Sequence, residues 1–244
     1  MMQRMIRVCA IGLALAASVA APAAAQTVDE IVALNHASKG GLNKWRSIQT
    51  QRLEGVASAQ GIELTMVIHG KRPNLGRQDL SIEIPGQGVV NMTNIFDGTS
   101  SWMINPMMGS AAPQQMTGPE ADSVRDQSDF DGALVDYKTK GYTVELVGPA
   151  AVGARKAHHL KVTRGARPTQ HYYIDAETGA ELKVSTEAGA GPAIDTEMSN
   201  FKAVEGVLVP HSIKVSQGGM IQAELLITKV EFNVAIDDAM FKVK

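Results

Sequence analysis

The chain has 244 residues, with 23 lysines and arginines against 25 aspartates and glutamates, for a formal net charge of −2. A mildly acidic chain without a basic cluster lacks the electrostatic footprint of a nucleic-acid binder. The single cysteine, Cys9, lies near the start, which excludes a disulfide framework and a cysteine metal site from the rest.

Arg4 and Arg7 precede an apolar run over residues 8–20 and the small residues Ala23-Ala24-Ala25. This is the layout of a cleaved Sec-type signal peptide, too short to span a bilayer. Ile6-Arg7-Val8 before Cys9 does not form a lipidation box, and no second apolar run approaches membrane length. Residues 1–25 are read as the signal. Residues 26–244 are read as one domain, because no Pro/Gly/Ser linker divides them and single β sheets reach this size. The expected location is the periplasm, as a soluble protein.

Thr27-Val28-Asp29-Glu30 fits a capping box, and Ile31, Leu34 and Ala37 follow at helical spacing until Gly40-Gly41. Leu42 and Trp45 predict a further turn or two. From Thr50 onward the period drops to two. Ile62, Leu64, Met66 and Ile68 share one face while Glu63, Thr65 and His69 share the other. Leu80-Ser81-Ile82 and Val90-Asn91-Met92 continue the alternation, Asp97-Gly98 supplies a turn, and Trp102-Met103-Ile104-Asn105-Pro106 closes the run. About five antiparallel strands are expected here.

Residues 107–137 interrupt the pattern with Met107-Met108-Gly109 and a proline-started helix at Gly118-Pro119-Glu120, followed by a weakly apolar stretch containing Phe130, Leu134 and Val135. Such an insertion is either a lid over a site or a plain surface crossover. Strands resume with Tyr142-x-Val144-x-Leu146, His158-x-Leu160-x-Val162, Tyr172-x-Ile174 and Leu182-x-Val184, then at 194–201, 207–215 and 220–232. Turn residues recurring about every ten positions suit an antiparallel barrel or a strongly bent sheet. A final turn brings Phe241 onto that sheet.

Little reaction chemistry is visible. His158 and His159 are neighbours on a strand and point to opposite faces, and the other four histidines are scattered. No Gly-x-Ser-x-Gly elbow is present, and Gly86-x-Gly88 and Gly189-x-Gly191 lack the strand–helix setting of a nucleotide loop. The reading is not an enzyme, with no catalytic residue, metal or cofactor. Met66, Met92, Met103, Met107, Met108 and Met116 crowd into one stretch, either as core filling or as an adaptable apolar surface. Arg72 is either a solvated charge beside Pro73 or a donor fork at a cavity mouth.

Gly70-Lys71-Arg72-Pro73-Asn74, Asp97-Gly98, Trp102-x-x-Asn105-Pro106 and Gln114-Gln115 resemble the periplasmic outer-membrane lipoprotein carriers, the LolA-like family. Tyr173-Ile174-Asp175 with Gly179, Glu205-Gly206-Val207-x-Val209-Pro210, and Val230-x-x-Asn233 with Asp237-Asp238 and Phe241 are similar to its wider lipoprotein-sorting relatives. Where those carriers have a tryptophan before the Lys-Arg-Pro motif, this chain has Val67-Ile68-His69.

The resemblance implies a mainly β fold: an incomplete, half-open antiparallel barrel around a hydrophobic cavity, with an N-terminal helix and a helical insertion as lid. It also implies carriage of a lipid or lipoprotein acyl chain across the periplasm toward the outer membrane, with donor and acceptor proteins at the two membranes as partners. The residues expected to line the cavity are Leu64, Met66, Ile68, Leu80, Ile82, Met92, Phe96, Trp102 and Ile104, with Arg72 at the lid. The alternative is a periplasmic sensor or interaction module that binds a partner protein on the same sheet.

Overall fold

The computed structural model describes residues 26–243; the expected signal over residues 1–25, Cys9 included, lies outside the described residues. Helix α1 (Val28–Ser38) begins with the capping box, in which the Glu30 N–H donates to Thr27 Oγ1 and the Thr27 N–H donates to the Glu30 carboxylate. A short α2 (Leu42–Ser47) follows, and then the period-two alternation begins.

Six strands come first: β1 (Thr50–Ala59), β2 (Ile62–Lys71), β3 (Leu75–Ile84), β4 (Gly88–Phe96), β5 (Ser101–Asn105) and β6 (Ser110–Gln115). A crossover containing α3 (Gly118–Ser128) leads to seven more. These are β7 (Thr143–Val152), β8 (Arg155–Thr163), β9 (Gln170–Asp175), β10 (Glu181–Ala188), β11 (Gly191–Val204), β12 (Val207–Gln217) and β13 (Met220–Phe232). All thirteen form one sheet in the order β6-β5-β4-β3-β2-β1-β13-β12-β11-β10-β9-β8-β7. Two antiparallel meanders are thus joined where the first strand pairs with the last, Leu53 opposite Val230. β6 and β7 are the two edges, so the sheet is not closed into a barrel. The stretch after Met107, expected to be wholly insertion, contributes the edge strand β6. Its Pro113 is tolerated there because an edge strand leaves one side of its ladder unpaired.

Sheets of this size curl. β1 and β9 stand five strand positions apart, about 24 Å on a flat sheet, yet Leu53 and Tyr172 line one cavity. The face inside this curl is covered by α1, α2 and the crossover. Gly76 lies beneath the end of α3, where a Cβ would come within 2.1 Å of the Ser128 hydroxyl. Gly179, at a φ of 74°, lies so close to α1 that a Cβ would meet the Leu34 carbonyl at 2.1 Å. A buried cluster of Ile31, Val32, Ala133, Leu134, Leu160 and Ile174 cements helix and crossover to β8 and β9. The outer face is covered locally by the C-terminal turn over Asp238–Phe241: Phe241 is buried and Arg77 Nη1 donates to the Met240 carbonyl at 3.0 Å.

No helix among the described residues is long and apolar enough to cross a membrane.

Candidate functional site

Paired residues in an antiparallel ladder point to the same side, so the register identifies the inner face. Leu53 pairs with Ile68, Ala57 with Leu64, Met66 with Leu80, Leu80 with Met92, and Ile82 with Val90. Along β1 to β4 and β13 the inward positions run Gln, Leu, Gly, Ala, Ala; Ile, Leu, Met, Ile, Gly; Gly, Gln, Leu, Ile, Ile; Gly, Val, Met, Asn, Phe; and Ile, Ala, Leu, Ile, Val, Phe. None is ionisable. The charges of these strands are all turned outward, where Arg77 pairs with Asp79 at 2.8 Å and Arg52 with Glu231 at 3.2 Å.

Two cavities lie between this face and its covering elements. One, of about 280 Å³, is bounded by α1, α2, β1, β9–β13 and the crossover, with Leu53, Tyr172, Met198, Val209, Val230 and Phe232 among its apolar lining. The other, of about 370 Å³, lies between β2–β5 and α3 and is lined by Ile68, Gln78, Asn94, Met103, Met116 and Val124 among others. Gln51 and Phe130 border both, so the Phe130 ring is part of the wall that divides one trough into two.

Phe130 is held by a clasp. Arg72, from the β2–β3 turn, donates Nε to the Ile48 carbonyl at 2.7 Å and Nη2 to the Trp45 carbonyl at 3.0 Å. Its Nη1 pairs with Asp131 Oδ2 at 2.7 Å, and its guanidinium stacks 4.5 Å above the Phe130 ring. Asp131 uses its other oxygen to accept the Trp45 indole N–H at 2.8 Å, and the Trp45 and Phe130 rings meet with centroids 5.4 Å apart. Every strong donor of Arg72 therefore ends on α2, the segment just after it, or the crossover. A planar fork suits this task because it reaches three acceptors in one plane while its face covers an aromatic ring. Lys140 staples the same crossover from behind, pairing with Asp129 at 2.8 Å and donating to the Gly132 carbonyl.

Of the residues singled out from sequence, Leu64, Met66, Ile68, Leu80, Ile82, Met92 and Phe96 all fall on the inner face. Ile68 lines the larger cavity, and Leu64, Met66, Ile68 and Leu80 join Ala57 and Ile227 in one apolar cluster. Trp102 and Ile104 lie on the opposite face, because they pair with Ile95 and Thr93; the residue between them, Met103, is the one that turns inward. The Trp102 indole instead donates to Asp97 Oδ2 at 2.7 Å and fixes the β4–β5 turn. Asp131 and the lining supplied by β11–β13 are not among the site residues expected from sequence, and Trp45 and Phe130 were expected only as helix and insertion residues. The Phe130-Asp131-Gly132 triplet is the local trace of them, an aromatic and an acid at a turn inside a polar stretch.

The histidines include one contact not expected from spacing. His159 Nε2 lies 2.8 Å from His171 Nδ1 on the outer face, because β8 and β9 pair with Lys161 opposite His171. Burial, reinforced by the neighbouring His171 and Lys183, holds the His159 ring below the ordinary imidazole value and so favours its neutral form. Among the described residues no group of three or more histidines, cysteines or carboxylates is arranged to hold a metal ion.

No family model matches the chain, and no curated protein matches it in sequence. Solved structures do match in shape. An outer membrane lipoprotein-sorting protein domain from Vibrio parahaemolyticus superposes with a TM-score of 0.61 at 12% identity, covering 87% of this chain and 94% of that one. A LolA superfamily protein from Nitrosomonas europaea gives 0.61 at 14% identity, covering 89% and 98%. A DUF1329 family protein from Desulfovibrio piger gives 0.55 at 13%, covering 88% and 97%. At these identities the likeness is one of fold: an open LolA-like sheet with a helical lid.

Proposed function

We propose that this chain is a periplasmic carrier that holds a lipid or lipoprotein acyl chain against the inner face of its curled sheet and delivers it toward the outer membrane. One observation supports this most: five adjacent strands present inward rows without an ionisable side chain, in a protein of which 20% is charged. Transfer of each methylene from water to such a surface is worth about 0.8 kcal/mol, so a long chain is retained without any polar contact to its tail. Each cavity is near the lower end of ligand-site volumes, roughly 300–1,000 Å³.

In this reading Arg72 and Asp131 gate the trough. While their ion pair holds, Phe130 divides the cavities; when it opens, the crossover withdraws the ring and a single longer groove receives the cargo. Release then follows from any acceptor that binds the open form better than the closed one. A donor at the inner membrane and an acceptor at the outer membrane are the partners this cycle requires. No bond is made or broken in it.

Native mass spectrometry of the mature chain purified from a periplasm, with lipid extraction of the same sample, tests the reading. The expected result is a discrete added mass that extracts as a lipid or acylated peptide and is lost in Ile82→Glu, which puts a carboxylate into the trough. A clean mass with no uptake of offered lipid or acylated peptide would overturn it.

A further inference from the structure

Strict antiparallel order sends the hairpins alternately to the two ends of the sheet. The β1–β2, β3–β4, β5–β6, β8–β9, β10–β11 and β12–β13 connections share one end, opposite the clasp. All six follow one another along the sheet, and the five from β5–β6 to β10–β11 are alike. Over residues 60–62, 85–90, 106–113, 189–194 and 217–222, which form their tips, no side chain is ionisable and none is aromatic. Ile62, Val89, Met107, Met108, Ile194, Met220 and Ile221 stand on these tips between 39% and 69% exposed. Glycines accompany them on every tip: Gly61, Gly86, Gly88, Gly109, Gly189, Gly218 and Gly219 all adopt positive φ, which lets each turn present its apolar residue outward. The sixth hairpin differs: Arg167 pairs with Asp126 of α3 and Arg164 stacks on Tyr142, so it belongs to the lid side.

We propose that these five tips form a rim that seats on a lipid bilayer surface. A protein partner would be expected to meet aromatic and arginine anchors and charges that fix register. The rim has none of these, and its apolar residues stand on separate tips along an arc rather than in one shaped patch. A soft, neutral, laterally uniform surface is the partner that accepts such an arrangement, with methionines and aliphatics entering its interfacial zone. The inner rows reach the same tips: Ile82 leads through Ile84, Met92 through Val90, and Leu64 directly to Ile62. An acyl chain leaving the trough at this end would pass no charge before it reached lipid. That last step rests on the carrier reading; the seating of the rim does not.

The test is flotation of the mature chain with phosphatidylcholine vesicles, repeated with phosphatidylglycerol included. The chain is expected to float with neutral vesicles. Because the rim is uncharged, binding should change by less than about twofold when salt rises severalfold or anionic lipid is added. Met107→Asp combined with Met220→Asp should lower the vesicle-bound fraction by about tenfold or more, with the far-ultraviolet circular dichroism and solution uptake of a fatty acid unchanged. Wild type that stays at the bottom of the gradient would overturn the proposal. So would variants that float equally well, or binding that demands anionic lipid and fails in salt. Flotation by a chain that takes up no acyl ligand would sink the carrier reading and sustain the rim; uptake without flotation would do the reverse.

Discussion

The two ends of the curled sheet are made from the same antiparallel hairpins and use opposite chemistry. At the clasped end nearly every turn is tied by charge. Arg72 meets Asp131, Lys44 meets Glu205, Lys39 meets Glu181 and Arg155 meets Asp175. Two aspartates there organise their turns in the same way. Asp97 accepts the Thr99 and Ser100 N–H groups, and Asp175 accepts those of Glu177 and Thr178. The opposite end has glycine and an exposed aliphatic or methionine at five of its six tips and no ionisable group on them. Stability and lid control are therefore concentrated at one end, which leaves the other free to be chosen for what it touches.

The largest effects are expected where the clasp meets the core. Phe130→Ala removes a buried ring shared with Trp45, Ile48 and Phe232, and should cost roughly 3 kcal/mol in urea unfolding. It should also join the two cavities, so acyl uptake per folded molecule should rise rather than fall. Asp131→Ala comes next. It leaves a guanidinium only 14% exposed without its carboxylate and the Trp45 indole without an acceptor, for about 2 kcal/mol. Trp45 emission should shift to the red, and Asp131→Asn, which still accepts the indole N–H, should cost less. Equal losses in the two Asp131 variants would mean that the indole hydrogen bond contributes nothing beyond the ion pair.

The face of the candidate site built by local alternation was legible in the sequence. Leu64, Met66, Ile68, Leu80, Ile82, Met92 and Phe96 share the inner face because period two fixes them once one strand is oriented. Trp102 and Ile104 were misplaced because β5 follows a four-residue turn after Phe96. Its pairing of Ser101 with Phe96 sets Met103, not its neighbours, inward. Large apolar character could not reveal that parity. Asp131 and the lining from β11–β13 depend on the β1–β13 pairing and on where the crossover lies, both set by contacts between residues distant in sequence, Leu53 with Val230 and Trp45 with Asp131. The clasp arginine was legible as a donor; its acceptors were not.

Acid should open the same end first. Burial pushes the Asp97 and Asp175 carboxyls up, but hydrogen bonds from Ser100, Trp102 and Thr99 to the one, and from Thr178 and Glu177 with the Arg155 charge to the other, outweigh it and hold both below the ordinary 3.8. With folded values depressed, the unfolded chain binds more protons in this range. Their contribution is complete above 3.8 and is lost as pH falls through the lower folded values. The urea midpoint should fall between about pH 4 and pH 2, with Trp102 emission changing alongside it. Asp97→Asn should flatten that slope. A slope unchanged in this variant would remove Asp97 from the account.

The smallest effect is the one that separates the two ends most sharply. Met220 is 69% exposed at a tip where Gly218 and Gly219 both have positive φ, so little of its surface is buried for a substitution to vacate. Met220→Gln keeps length and flexibility while making the tip polar, so its unfolding free energy should stay within about 0.5 kcal/mol of wild type, a shift in Tm of about 2 °C or less for a chain of this size. A clearly larger loss would mean that the rim is part of the folded core and that Met220 is exposed only because its neighbours have not closed over it. A neutral result would leave solvent-facing methionine on a glycine turn with no structural purpose inside the molecule. Its chemistry would then have to be explained by a surface outside it, since a soluble turn gains nothing from exposing a thioether where glutamine serves equally well.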